Sequence, residues 1–425
     1  MNRPLTRREM LVSSAAAVAL AALPLRAAAA APARKKVALL GTMVRPLSHA
    51  QHFLDRFTLG YTWAGGWHRP SVDLAGLYID QFPGGEDDLA RRTAKRFGVP
   101  LFPSVADALT LGTGKLAVDG VIIIGEHGRY PKNEKGQTLY PRYRWFKETV
   151  KVFESSGRSV PVFNDKHLST DWRECVEMVE DARRLKFPFH AGSSLPVTRR
   201  LPAIDLPFGT PLSESLAVCY GGLDSYDFHG LEVAQCMSER RQGGEVGIAR
   251  VLALRGAAMW EHAARREETQ RLLVAALCRS HNLPVKDAYP TDAVSFAWAR
   301  QNFPEGWGYF IEHRDGFRTT LMMLPPIRDM NYAGLNRRTG EIISTQMYLP
   351  MPDRGSTTAD FFNPLVHHAE QMILENKQPY PIERTLLTSG MTLAGVESLH
   401  RGTVVETPEM AVRYTGPKES TFWRD

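Results

Sequence analysis

The chain is short of the features that would place it in several large classes. It has only four cysteines in 425 residues, and Cys175, Cys219, Cys236 and Cys278 lack the close spacing of a thiolate metal centre. No disulfide is expected of them, since a protein exported already folded often keeps buried free thiols. Beyond one N-terminal stretch there is no apolar run near the roughly 20 residues that span a bilayer, so the rest of the chain predicts no membrane segment. Charge of one sign is also scarce. The formal net charge is +6, and the first 30 residues hold Arg3, Arg7, Arg8 and Arg26 against Glu9, leaving only about +3 for the remainder. That is no nucleic-acid signature. Outside the N-terminus there is neither an internal repeat nor a low-complexity tract.

What is present begins with Thr6-Arg7-Arg8-Glu9-Met10-Leu11, followed by an apolar run over residues 11–25 and an alanine tract. A charged start, an apolar middle and small residues predict a removable leader, and paired arginines mark the route that carries folded proteins. Residues 1–32 are therefore expected to be a twin-arginine signal peptide cut near Ala30, and the mature protein periplasmic or otherwise exported. Folded export also favours a cofactor or partner acquired before crossing.

Residues 35–189 alternate short apolar runs with amphipathic stretches. The runs at 36–41, 72–80, 118–125 and 159–165 are nearly continuous in Val, Ile and Leu, as strands buried on both faces must be. Helical patterns lie between them at 86–97, 144–155 and 171–185; the first opens on Glu86-Asp87-Asp88 and stops at Gly98. This alternation predicts a Rossmann-like parallel sheet over residues 33–200. From 201 to 425 the texture changes to a strand at 246–255, a helix at 259–281, a hairpin at 307–324 turning on Arg314-Asp315-Gly316, and helices at 360–376 and 383–400. That predicts a C-terminal α+β domain with a large, mainly antiparallel sheet covered on one face.

Ligands of open parallel sheets sit beyond the carboxyl ends of the strands. Three such ends are polar: Asp80, where an acid suits a ribose diol; Gly125-Glu126-His127-Gly128-Arg129-Tyr130; and Asn164-Asp165-Lys166-His167. A metal site from Glu126, His127, Asp165 and His167 is set aside, because adjacent residues on an extended chain point opposite ways. No metal is expected. His367-His368 reads as a solvated helix face. Trp63, Trp67, Trp307 and Tyr309 form either a stacking wall for sugar rings or core filling.

The element order, with Asp165-Lys166-His167 closing a strand before the 171–185 helix, resembles the glucose-fructose oxidoreductase / inositol dehydrogenase family. That family carries Glu-Lys-Pro there, and Lys166 falls on its lysine, with Asp165 and His167 replacing its neighbours. The segment Gly221 to Glu232, containing Asp224, Asp227 and His229, is similar to the family's Asp and His segment, and residues 379–402 to its last helix. The resemblance implies NAD or NADP as cofactor, a small carbohydrate-type substrate, and homo-oligomers formed through the outer face of the C-terminal sheet.

One departure is plain. Where the family's first strand leads into glycines that approach a pyrophosphate, this chain has Gly41-Thr42-Met43-Val44-Arg45-Pro46, followed by an aromatic insertion at 61–69. The expected cofactor contacts are Gly41, Thr42, Arg45, Asp80, Gly125, Glu126 and His127, with Arg45 standing in for the glycine turn. For the chemistry, His229 is the expected base, Asp224 or Asp227 orients its ring, and Lys166 binds the substrate oxygen. The leading expectation is an exported oxidoreductase of a sugar or polyol hydroxyl. The alternatives are a related enzyme that cleaves glycosides through transient oxidation, and a carbohydrate- or partner-binding protein that has lost the dinucleotide.

Overall fold

Alternate residues of the first apolar run face different cores. Val37 and Leu39 of β1 (Lys35–Gly41) belong to one cluster and Ala38 and Leu40 to another, which is what burial of a strand on both faces requires. The computed structural model describes residues 33–283, 294–350 and 359–424. The proposed leader, residues 1–32, lies outside them.

A small antiparallel hairpin, β2 (Tyr61–Trp63) and β3 (Gly66–His68), precedes β4 (Val72–Ile79). With β5 (Gly120–Ile124), β6 (Val162–Asp165) and β7 (Phe189–Gly192), β1 and β4 form a five-stranded sheet of order β4-β1-β5-β6-β7 in which every pair is parallel. The Leu89–Phe97 helix starts on Asp88, whose carboxylate accepts from Arg91 N, and ends at Gly98 with φ 68°. The acids before Asp88 form a separate 3-10 turn, Gly85–Asp87. Strand β7 has no counterpart in the sequence reading; four residues are too few to show a period.

The second sheet has eight strands: β8 (Arg200–Leu201), β9 (Leu212–Cys219), β10 (Ile248–Arg255), β11 (Trp307–His313), β12 (Arg318–Met323), β13 (Met330–Asn336), β14 (Ile342–Met347) and β15 (Val405–Glu406), in the order β15-β10-β11-β12-β9-β13-β14-β8. All neighbours are antiparallel except β12 and β9. The hairpin turn falls at Arg314-Asp315-Gly316, with Gly316 at φ 81°.

Three expectations are corrected. The helix expected at 259–281 breaks at Arg265-Arg266 into Gly256–Ala264 and Glu267–Leu277, which lets the second piece lay Leu272, Leu273 and Leu277 on the sheet. The sheet is consequently covered on both faces: these helices pack on Leu216, Val218, Met322 and Ala333, while Tyr226–Ser238 and Glu383–Arg401 cover the other side. Nor does the chain divide cleanly at residue 200. Phe361, Phe362, Leu365, Met372 and Ile373 return to the core of the first sheet, and Lys35 Nζ donates to the carbonyls of Ile373 and Leu374. Among the described residues the cysteines are free, and no helix is long and apolar enough to cross a membrane.

Candidate active site

The carboxyl ends of β1, β5 and β6 open on a cavity of about 550 Å³, closed on its far side by the start of the Tyr226–Ser238 helix and by Phe361 and Phe362. Arg45, His49, Glu126, His127, Lys166 and His229 line it.

Lys166 follows the last residue of β6. Its backbone, φ 71°, is left-handed and is held by Lys166 N donating to Gly192 O at 3.0 Å. His127 and Asp224 share this uncommon conformation, with φ 68° and 56°. Such backbone costs on the order of 1–3 kcal/mol per residue and collects at functional sites. The Lys166 ammonium is 2.5 Å from His229 Nε2 and 3.7 Å from Glu126 Oε1, with the lysine side chain 3% exposed. Burial, then Lys166, holds the His229 ring well below its ordinary pKa of 6.5, so it is neutral and Nε2 accepts from the ammonium. Its Nδ1 is buried without a partner. Burial works to raise Glu126, but Lys166, His49 and His127 together carry it below the usual 4.5. Glu126 is ionised. Thr42 fixes the start of its loop, donating through Oγ1 to Glu126 O and accepting from Glu126 N at 3.1 Å.

Behind Lys166 stands a second layer. His49 Nδ1 is 2.8 Å from Asp165 Oδ2; burial pushes the histidine down to about 3 and the acid up to about 6. His167 points away from the cavity, between Arg142, whose guanidinium meets its Nε2 at 2.9 Å, and Asp224 Oδ1 at 3.3 Å.

The expected site residues are thus partly assembled. Lys166 and His229 meet, and Glu126, His127 and Arg45 share their cavity. The aspartates do not reach His229. Asp224 is taken by His167 and by Gln137, and Asp227 accepts from Asp224 N, Ser225 N, Phe228 N and the Tyr309 hydroxyl, sealing the helix start. Asp80, expected at a ribose, accepts from the Tyr78 and Tyr130 hydroxyls at 2.8 and 2.6 Å, while Gln81 exchanges hydrogen bonds with the backbone of Arg129. The loop after β5 is thereby tied to the end of β4, across intervening β1. Gly41 at the end of β1 and Thr42 just after it are buried, and a Cβ on Gly125 would lie 2.3 Å from Arg142 Cγ; that glycine makes room for Arg142. Glu126 and His127 line one cavity because the chain turns left-handed at His127 rather than running extended.

The aromatic wall is absent from the cavity. Trp63 stacks on His367 and Trp423, Trp67 is 61% exposed, and Trp307 and Tyr309 are core residues of the second sheet. His367 and His368 are half-buried against other elements and not a solvated face. Sequence reading missed His49, Arg142 and the Phe361-Phe362 pair. His49 and His52, one helical turn apart just after the first strand, were the available signal; the others act through contacts between segments far apart in the chain.

No protein-family profile and no curated protein sequence matches the chain. Solved structures do. The chain is similar to myo-inositol dehydrogenase from Lactobacillus casei in complex with NAD(H) and myo-inositol, at TM-score 0.56 and 9% identity, covering 88% of this chain and 97% of that one. It is also similar to myo-inositol 2-dehydrogenase from Lactobacillus plantarum, at TM-score 0.52, 10% identity and 88% and 99% coverage. The scyllo-inositol dehydrogenase from Lactobacillus casei with bound NAD(H) and scyllo-inositol gives TM-score 0.52, 12% identity and 88% and 99% coverage. The fold is that of the glucose-fructose oxidoreductase / inositol dehydrogenase family, as the order of strands and the lysine at the end of β6 led us to expect.

Proposed function

We propose that the chain is an oxidoreductase acting on a secondary hydroxyl of a sugar or polyol, with a nicotinamide cofactor. The observation that carries the proposal is the contact of Lys166 Nζ with His229 Nε2, 2.5 Å across the cavity, on a fold whose solved examples include inositol dehydrogenases bound to NAD(H). The cavity suits the reacting end of such a cofactor together with a small ring: His127 Nε2 and His229 Nδ1 are buried there without partners, and Tyr140, Tyr226 and Arg328 add hydrogen-bonding groups for hydroxyls. The usual phosphate turn is not reproduced, since Gly41 at the end of β1 and Thr42 just after it are buried and Asp80 is tied to tyrosines. Arg45, 3.3 Å from His127 Nδ1, lines the cavity and is the cation we assign to a phosphate.

A nicotinamide cofactor held here would supply the hydride acceptor for the carbon bearing the hydroxyl. The protein supplies the proton path. A substrate hydroxyl placed between Lys166 and His229 receives a hydrogen bond from the ammonium, which lowers its pKa, and passes its proton to neutral His229 Nε2. Glu126, whose Oε1 lies 3.7 Å from the Lys166 ammonium, holds the lysine in place as it releases the histidine. We infer further, from Arg7-Arg8 and the apolar run behind them, that the protein is exported.

The test is direct. Protein purified from cytoplasm and denatured is expected to release a nicotinamide dinucleotide detectable by mass, and the intact protein to reduce NAD or NADP with polyols such as inositols. Absence of both the bound cofactor and any reduction across a polyol panel overturns the reading.

A further inference from the structure

We propose that His68, His367 and Glu370 form a binding site for one divalent transition-metal ion of the zinc class, separate from the cavity at Lys166. His367 and Glu370 are three residues apart on the Asn363–Glu375 helix and so share a face, while His68 arrives on β3 of the small hairpin. One ligand atom from each lies within 4.8 Å of the other two. His68 Nε2 is 2.8 Å from Glu370 Oε2, and the Tyr61 hydroxyl lies 3.2 Å from that same oxygen and 3.2 Å from His367 Nδ1. Two imidazoles and one carboxylate are the donor set of an open zinc site, with water or the Tyr61 oxygen able to complete a tetrahedron. The proton now shared by His68 and Glu370 is the one an ion would displace.

The surroundings are those of a held site. Ser71 N donates to Glu370 Oε1 at 2.7 Å, which fixes the carboxylate and leaves Oε2 to the ion. Trp63 stacks on His367 with ring centroids 4.0 Å apart, and Trp423 stacks on Trp63. Glu370 is fully buried, and Tyr61, His68 and Ser71 meet its two oxygens, so the carboxylate is held in one orientation. The His68 side chain is 24% exposed and gives an ion its way in. Bound there, the ion would pin the hairpin insertion to a helix 302 positions further along the chain. The inference does not depend on the proposed redox chemistry.

The experiment uses the full-length mature protein, stripped with chelator and titrated with zinc by calorimetry, with elemental analysis of the dialysed product. About one zinc per chain is expected, with a rise in the thermal midpoint. Glu370→Gln keeps the volume and the acceptor for Ser71 N, so it should fold as the parent does and bind zinc at least about 100-fold more weakly. The His68→Ala/His367→Ala protein should behave alike. Cobalt(II), a coloured stand-in for zinc, should give ligand-field absorption in the parent and none in Glu370→Gln. Failure of the parent to retain zinc would overturn the proposal. So would equal retention by both variants, which would move the metal to other histidines such as His49 and His127.

Discussion

Lys166 Nζ and His229 Nε2 are 2.5 Å apart although 63 positions separate them, one at the end of a parallel strand and the other in the first turn of the helix that packs on the second sheet. Neither sheet alone brings a base to the cation. If the pair handles the substrate proton, His229→Ala should lower turnover by about 10²–10⁴-fold, the usual worth of a positioned base. Lys166→Met keeps the side-chain length and removes only the charge, and should cost a comparable factor. Steady-state kinetics with thermal melts on both variants decide the matter: full turnover in either variant, or loss explained by unfolding, removes the pair from the chemistry.

Acid should weaken the fold through its buried histidines. Burial first, with neighbouring cations, lowers His49 and His52 to about 3 and His127 to about 4, and holds His190 and His229 well below 6.5. A folded-state pKa below the unfolded one means that the unfolded chain binds more protons; the stability is complete above about pH 6.5 and is lost as pH falls toward the folded values. Asp165 and Asp227, raised to about 6, and Glu232, raised to about 7, act oppositely, since the folded protein protonates them first as pH falls. His167, His262, His367 and His368 are lowered as well, and Asp55 and Glu174 raised, so the lowered histidines outnumber the raised acids and leave a net loss, each unbalanced proton being worth about 1.4 kcal/mol per pH unit. Calorimetric midpoints should fall steadily from pH 6.5 to 5; a midpoint that stays level or rises contradicts the neutral-histidine picture.

Asp80 serves here as a tie. Its oxygens hold the Tyr78 and Tyr130 hydroxyls, and through Tyr130 the loop after β5. Asp80→Ala should therefore cost about 1–3 kcal/mol of stability from two charge-assisted hydrogen bonds, and Tyr130→Phe part of that. Denaturant melts measure both. An Asp80→Ala protein as stable as the parent, with weakened dinucleotide binding, would restore the ribose role instead.

Much of this architecture is legible in the sequence because burial on two faces writes itself as unbroken apolar runs, as at residues 37–40 and 121–124, and because Asp88, Gly98 and Asp171 mark helix ends chemically. Lys166 at the end of β6 was legible as a candidate for a similar reason, since the ends of parallel strands are where ligands bind, whereas His229 was singled out by the resemblance of the Gly221 to Glu232 segment to the family's Asp and His segment. The orientation of Asp224 and Asp227 was not legible. Nearness in sequence to His229 suggested a partnership, whereas the helix start claims Asp227 for its own amides and Arg142 with His167 claims Asp224. Gly125 misled similarly, since a glycine beside a strand end reads as room for a ligand and here is room for Arg142.

That packing gives a clean test. With φ outside the left-handed range, Gly125→Ala is strained only by space, its Cβ falling 2.3 Å from Arg142 Cγ and 3.3 Å from Cδ. Overpacking of this kind typically costs about 1–3 kcal/mol, and the displaced guanidinium would also release His167, which it meets at 2.9 Å. A lower denaturation midpoint is expected, and a crystal structure should show Arg142 moved. An unperturbed Gly125→Ala protein would mean that the glycine is kept for some other purpose, the cofactor contact first among them.

The proposed export can be tested on residues 1–32 themselves. The pairing route reads guanidinium groups rather than charge alone, as Arg and Lys differ in donor geometry. Replacing Arg7 and Arg8 together by Lys keeps the charge of the N-terminus and the apolar run at residues 11–25 unaltered. The precursor is then expected to stay in the cytoplasm at full length, while the parent is recovered shortened by about 30 residues outside it, a length set by the small-residue cleavage site. Fractionation with intact-mass measurement distinguishes the two. Normal processing of the double-Lys variant would show that the paired arginines are not what directs this chain, and would leave the general secretory route to account for the proposed leader.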